Sequence, residues 1–417
     1  MHAETLDYAA IADPRTWGDA PLLHALLDDM RRNAPVAWVE PPGFRPFWAV
    51  SRHADIMEVE RQNERFLNGP RAVLQSIEQE DAVRAFTGGS HLLLRTLIHM
   101  DNPDHRVFRA LTQEWFQPRS LKRLQDGIAD LARRTVDRMA ARDGACDFVG
   151  EVAVWYPLHV IMMILGAPES DEPRMLKLTQ ELFGPQDPDM QRQKSAADMG
   201  TVQDFFAYFT AMTEERRADP RDDVATVIAN ARIDGKPIGH LEAMSYYIIV
   251  ATAGHDTTSA STSGGMLALI RNPEQLARLQ ADPALIPSAV DEMIRWTTPV
   301  KHFMRTATED YVLGGQTIRA GDALMLLYHA ANRDEAVFED PLSFRVDRSP
   351  NRHIAFGYGP HLCLGQYLAK MEMRALFAEL LPRLESIELA GEPAFVQSSF
   401  VSGLKRLPVR YRMRSSV

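Results

Sequence analysis

The stretch HIAFGYGPHLCLGQ, residues 353–366, constrains the chain more than any other. Three glycines and a proline make a tight loop, and a long helical pattern follows directly. The loop carries Cys363, one of only two cysteines in 417 residues. By itself a lone cysteine reads as a small buried hydrophobe. Here LGQYLAKMEMRALFAELLPRL is strongly amphipathic, so the thiol stands at a helix N-terminus, where unpaired N–H groups and the dipole favour thiolate. A thiolate there can be a nucleophile or a metal ligand. A nucleophile needs a base, for which His361 is at hand, but no third, orienting group is evident. Structural zinc needs more cysteines than Cys146 and Cys363 provide. Haem iron needs only one strong protein ligand.

The rest of the chain excludes several classes. With 45% hydrophobic and 24% charged residues it is neither disordered nor fibrous. A net charge of -10 argues against a general nucleic-acid binder. Two cysteines fit a reducing cytosol. The opening MHAETLDYAAIADPRTW is acidic and contains a proline, and reads as neither signal peptide nor membrane anchor. The expected location is cytoplasmic.

VAWVE and FWAVS, around residues 36–51, alternate as strands about the turn PPGFRP. From Asp101 to about Glu242 the three- and four-residue spacing of apolar residues predicts long helices. Residues 238–270 continue as helix, bulky in LEAMSYYIIVA and small in TAGHDTTSASTSGG. After Pro299 short strands and turns run until helix returns at residue 364. No repeat or linker divides the chain, so the expectation is a single unit over 1–417, mainly α with minor β, with a helical lobe and a smaller sheet-rich lobe.

The spacing of Phe356, Gly359, His361, Cys363 and Gly365 resembles the haem loop of the cytochrome P450 family. Further parts occur in order. Glu292 and Arg295 in SAVDEMIRW are three apart on a helix and can pair, which alone is an ordinary surface bridge. In the family such a pair meets a third group, matched here by Arg348 in PLSFRVDR, near Phe344. TAGHDTTS is a poor helix by composition, and Gly254 is expected to let a large flat group approach, with Thr257 bonding a preceding carbonyl and opening a local bulge. Asp256 and Thr257 resemble the acid and alcohol that deliver protons for O–O cleavage. His105, Arg109, Arg305 and His361 match cations that meet haem propionates, and Phe356 and Gly357 belong to the cofactor loop.

The resemblance implies haem b held by the Cys363 thiolate, and insertion of one oxygen atom of O2 into a C–H bond. Within the family, TTPVKHFMRTATED and YHAANRDEAVF look most like soluble bacterial enzymes of the terpineol-hydroxylating group, which implies a compact substrate, a monoterpene or alkyl aromatic. Family positions assign the pocket to the loop around residues 72–98, to Ile249, Val250 and Ala253, to Val300 and Phe303, and to Phe400 and Val401. No flavin or nicotinamide segment follows, so electrons are expected from an iron–sulfur ferredoxin and a separate reductase, with Lys370, Arg374 and Arg106 as a basic docking patch and a monomer as the default state. The competing readings are a steroid or branched fatty-acid hydroxylase, a peroxide-driven enzyme without need of Asp256 and Thr257, and a haem-thiolate sensor without turnover.

Overall fold

The computed structural model describes residues 6–183, 187, 189 and 200–414; the expected span 1–417 also covers residues outside these. In chain order the elements that position the site are α1 (Ala20–Asn33), β1 (Val36–Val39), β2 (Phe47–Val50), α2 (His53–Arg61), β3 (Phe66–Leu67), α3 (Asp104–Gln113), α4 (Trp155–Leu165), α5 (Glu172–Phe183), α6 (His240–Arg271), α7 (Ile286–Thr297), β4 (His302–Ala307), β5 (Ala323–Leu327), α8 (Tyr328–Ala331) and α9 (Gln366–Arg383). The architecture is mainly α with minor β, as expected.

Local signals account for the elements. α1 starts at Asp19, whose carboxylate accepts the Leu22 N–H, and buries Leu23, Leu26, Leu27 and Met30 at helical spacing. The alternating VAWV and FWAV runs pair antiparallel, Ala37 opposite Ala49. β5 then joins β2 in parallel, Leu324 opposite Trp48, and β4 antiparallel, Met325 opposite Met304. With β3 on the far edge the sheet order is β1-β2-β5-β4-β3.

α6 runs 32 residues, about 48 Å at 1.5 Å per residue. Past its first turn it is buried on most sides, which explains its small residues. A Cβ on Gly265 would sit 2.6 Å from Met293 Cγ of α7, so the missing side chain sets how closely the two helices pack. The expected bulge is absent: residues 240–271 form one unbroken α-helix. Thr257 Oγ1 still donates to the Ala253 carbonyl at 3.1 Å. A carbonyl oxygen has two lone pairs and can accept a hydroxyl without losing its ladder bond.

Candidate active site

α6 and the 355–365 loop face each other across the main cavity. Ile249, Val250, Ala253 and Thr257 line it from α6, and Val300 and Phe303 from the start of β4. Of the 72–98 loop, Leu97 and Ile98 reach it. Phe400 and Val401 stand behind: the Phe400 ring is 5.4 Å from that of Phe303, and Val401 bridges Val300.

Cys363 lines the opposite wall. Gly357 and Gly359, at φ +71° and +67°, turn the loop onto α2, and a Cβ on Gly359 would lie 2.5 Å from the Glu60 carbonyl oxygen. The Cys363 N–H donates to Phe356 O at 2.9 Å. Burial pushes the Cys363 thiol up, against the backbone hydrogen bonds of Gly365 and Gln366 and the charge of Arg109. The helix start and Arg109 favour the thiolate, and burial opposes them. Cys146 lies elsewhere, in a strand opposite Val409, its thiol pushed up to about 12 by burial.

Arg109 and two imidazoles gather at the loop end of the cavity. His105 and His361 stack with ring centroids 3.9 Å apart, and Arg109 Nη2 donates to Leu362 O at 2.7 Å. Burial and then Arg109 hold His105 down to about 4, and burial, Arg305, His105 and Arg109 hold His361 down to about 2. His105 Nε2 is buried without a partner. The acid on the wall, Glu372, is held well above its ordinary pKa by burial. A half-buried sulfur on one wall, and Arg109 beside two stacked imidazoles of which one has an orphaned nitrogen, fit a flat metal macrocycle bearing two carboxylates.

Two expectations change in detail. Gly254 lines the cavity, but its absent side chain makes room for a neighbour: a Cβ there would be 2.5 Å from Ile161 Cδ1 of α4. Arg305 does not line the cavity; its Nη2 donates to Glu60 Oε1 at 3.0 Å and it acts on His361 only through its charge. Glu60 also accepts from Tyr328 Oη at 2.6 Å. Asp256 stands beside rather than on the cavity wall, next to His255.

Glu292, Arg295 and Arg348 meet in one buried cluster. Arg295 makes two parallel bonds to the Glu292 carboxylate, at 2.7 and 2.8 Å, and Arg348 Nε a third at 3.0 Å, with all three residues buried. Asn351 Nδ2 and the Arg345 N–H complete the carboxylate's partners.

The cytochrome P450 sequence profile matches residues 95–407. The chain belongs to the cytochrome P450 family. It is 44% identical over 408 residues to Cytochrome P450-terp of a Pseudomonas species, covering 95% of each chain, and 33% identical over 395 residues to a steroid C26-monooxygenase of Mycolicibacterium smegmatis, covering 92% and 90%. It superposes on CYP108D1 of Novosphingobium aromaticivorans with a TM-score of 0.91 at 48% identity, covering 98% and 99%, and on Mycobacterium marinum CYP268A2, solved with pseudoionone, with 0.89 at 32%, covering 98% and 100%. The protein is a P450 monooxygenase, and its cofactor is haem with a cysteine thiolate ligand.

Sequence reasoning passed over three residues of this P450 site. Glu372, buried on α9, looks like one polar residue of an amphipathic helix. Glu60, which holds Arg305, lies 245 residues away. Asp291 holds Lys370 at 2.7 Å and comes within 4.0 Å of Arg374, so two of the three basic docking candidates are already paired. Arg106 is exposed. Among the described residues no helix is long and apolar enough to cross a membrane.

Proposed function

We propose that this P450 inserts one oxygen atom of O2 into a C–H bond of a compact hydrophobic substrate, a monoterpene or an alkyl aromatic. The observation that carries the reading is the apolar end of the cavity, built from Leu97, Ile249, Val250, Ala253, Val300 and Phe303. Such walls bind by excluding water and by shape, and choose which carbon is presented. The 44% identity to Cytochrome P450-terp supports the same substrate class.

Cys363 would hold the haem iron, with His105, Arg109 and His361 on the propionates and Arg305 backing His361. Haem supplies oxygen activation when bound. Thr257 lines the cavity and bonds Ala253 O, and Asp256 beside it would supply the proton. The Glu292, Arg295 and Arg348 cluster ties α7 to the segment before the loop and so fixes the loop itself. The haem unit spans residues 1–417 as one domain, a cytoplasmic monomer fed by a ferredoxin and its reductase, with Arg106 as the leading docking cation.

Optical titration of the ferric protein with monoterpenes, alkyl aromatics, steroids and fatty acids tests the substrate class. A near-complete low-spin to high-spin shift with a monoterpene or alkyl aromatic, and none with steroids, is expected. A shift with the larger lipids alone would move the protein to the steroid or branched-lipid class, and no shift with any would favour a sensor.

A further inference from the structure

A second cavity, about 520 Å³ with its mouth, lies between α1 and α8, on the other side of α8 from the haem pocket. Tyr328 lines the main cavity and its neighbour His329 lines this one. The walls also carry His24, Asp28, Arg31 and Arg333, with exposed Leu342 beside them.

Charge does not balance around it. Asp28 is held by Arg31 at 2.6 Å and Arg32 at 3.0 Å, and Glu335 by Arg32 at 3.2 Å and Arg31 at 3.5 Å. Those four charges cancel. Arg333 is 4% exposed and Lys301 6% exposed, and among the described residues neither has a carboxylate within 4 Å. Arg333 donates to the backbone of Trp296 and His329 and lies over the Trp296 ring, but its Nε is buried without a partner. Lys301 Nζ reaches only the Thr297 carbonyl, at 2.8 Å. His329 is 5% exposed, and neither of its ring nitrogens has a partner; its ring stacks on His24 at 5.8 Å.

Buried cations are normally paired and buried ring nitrogens normally bonded. Water in the cavity would satisfy the nitrogens and leave the charge. One anion with several acceptor oxygens satisfies both. We propose that this cavity binds a small inorganic oxyanion of the phosphate or sulfate type, held by Arg333, His329 and His24 with Lys301 behind them. The electrostatics agree. Burial and then Arg333 hold His24 down to about 4 and Lys301 down to about 7, burial and then Arg295 hold Arg333 down to about 9, and a bound anion opposes the like-charge part of each shift.

The test uses the haem-loaded enzyme, with sodium sulfate and sodium phosphate titrated at ionic strength held constant by sodium chloride. Thermal unfolding and isothermal titration are expected to give saturable stabilisation and binding. At about pH 8 binding should take up protons, as Lys301 regains its charge beside the anion. In His329→Leu the affinity should fall about tenfold or more. Stability that tracks ionic strength alone, or the same saturable response in His329→Leu as in the natural protein, would overturn the site in favour of a water-filled cavity. Should His329→Leu not fold, His24→Leu, on the half-buried side of the stack, carries the same comparison.

Discussion

Nε2 of His255 lies 3.1 Å from Oδ1 of Asp256, although residues adjacent along a helix normally face different ways. The same nitrogen is 3.2 Å from Thr179 Oγ1 of α5, and Nδ1 is 3.3 Å from the Ala251 carbonyl. The acid assigned to proton delivery is therefore held by a fully buried imidazole that also touches a neighbouring helix.

Burial alone would lower the His255 pKa, but the charge and hydrogen bond of Asp256 outweigh it and the pKa is raised. A folded-state pKa above the unfolded one stabilises fully below the ordinary histidine value, and that contribution is lost as pH rises through the raised value. His255→Gln should therefore cost most stability near about pH 6 and less near about pH 8.5. Urea unfolding at the two pH values reads this directly, and an equal loss at both would mean the pair is not ionic.

Thr257→Ala removes the hydroxyl that faces the cavity while leaving the helix intact. Substrate-induced spin shift and electron consumption should persist while product per electron pair falls at least severalfold, and by no more than the roughly 10⁴-fold upper end for proton-transfer groups. Unchanged coupling would remove Thr257 from the proton path.

Glu292→Gln leaves Arg295 and Arg348 buried without a charge partner. Breaking a buried ion pair from one side costs about 3–5 kcal/mol. Chemical denaturation should show a loss of that order, together with weaker haem retention, and a loss below about 1 kcal/mol would reduce the cluster to the level of a surface bridge.

Gly254→Ala brings a Cβ to 2.5 Å from Ile161 Cδ1. Overpacking of this kind costs typically about 1–3 kcal/mol. Combining it with Ile161→Ala should restore part of the loss, measured as a double-mutant coupling. Additive losses would mean that Gly254 serves the cavity and not the contact with α4.

What was legible in the sequence follows how local each feature is. The Cys363 loop and the Glu292–Arg295 spacing lie within single short segments, and the strand alternation at residues 36–50 is a two-residue rhythm. Arg348 was found because it follows in order 56 residues on. Glu60 was not, since nothing in the helical run HADIMEVER separates a carboxylate that buries itself against Arg305 and Tyr328 from one that faces water. The surroundings of Cys363 were equally hidden: a helix start is visible in a string of letters, and the desolvation that opposes it is not.

The parallel pairing of Trp48 with Leu324 joins two segments separated by most of the chain. β4, with Phe303 and Arg305, hangs from that same β5 strand. A ribosome must therefore finish nearly four-fifths of the polypeptide before the first strands can meet their central partner, and long-range closures of this kind are slow. Maturation of the substrate pocket is thus a late event in the life of each molecule, and N-terminal fragments that end before residue 324 would carry an uncovered β2 edge, open to unwanted pairing with other chains.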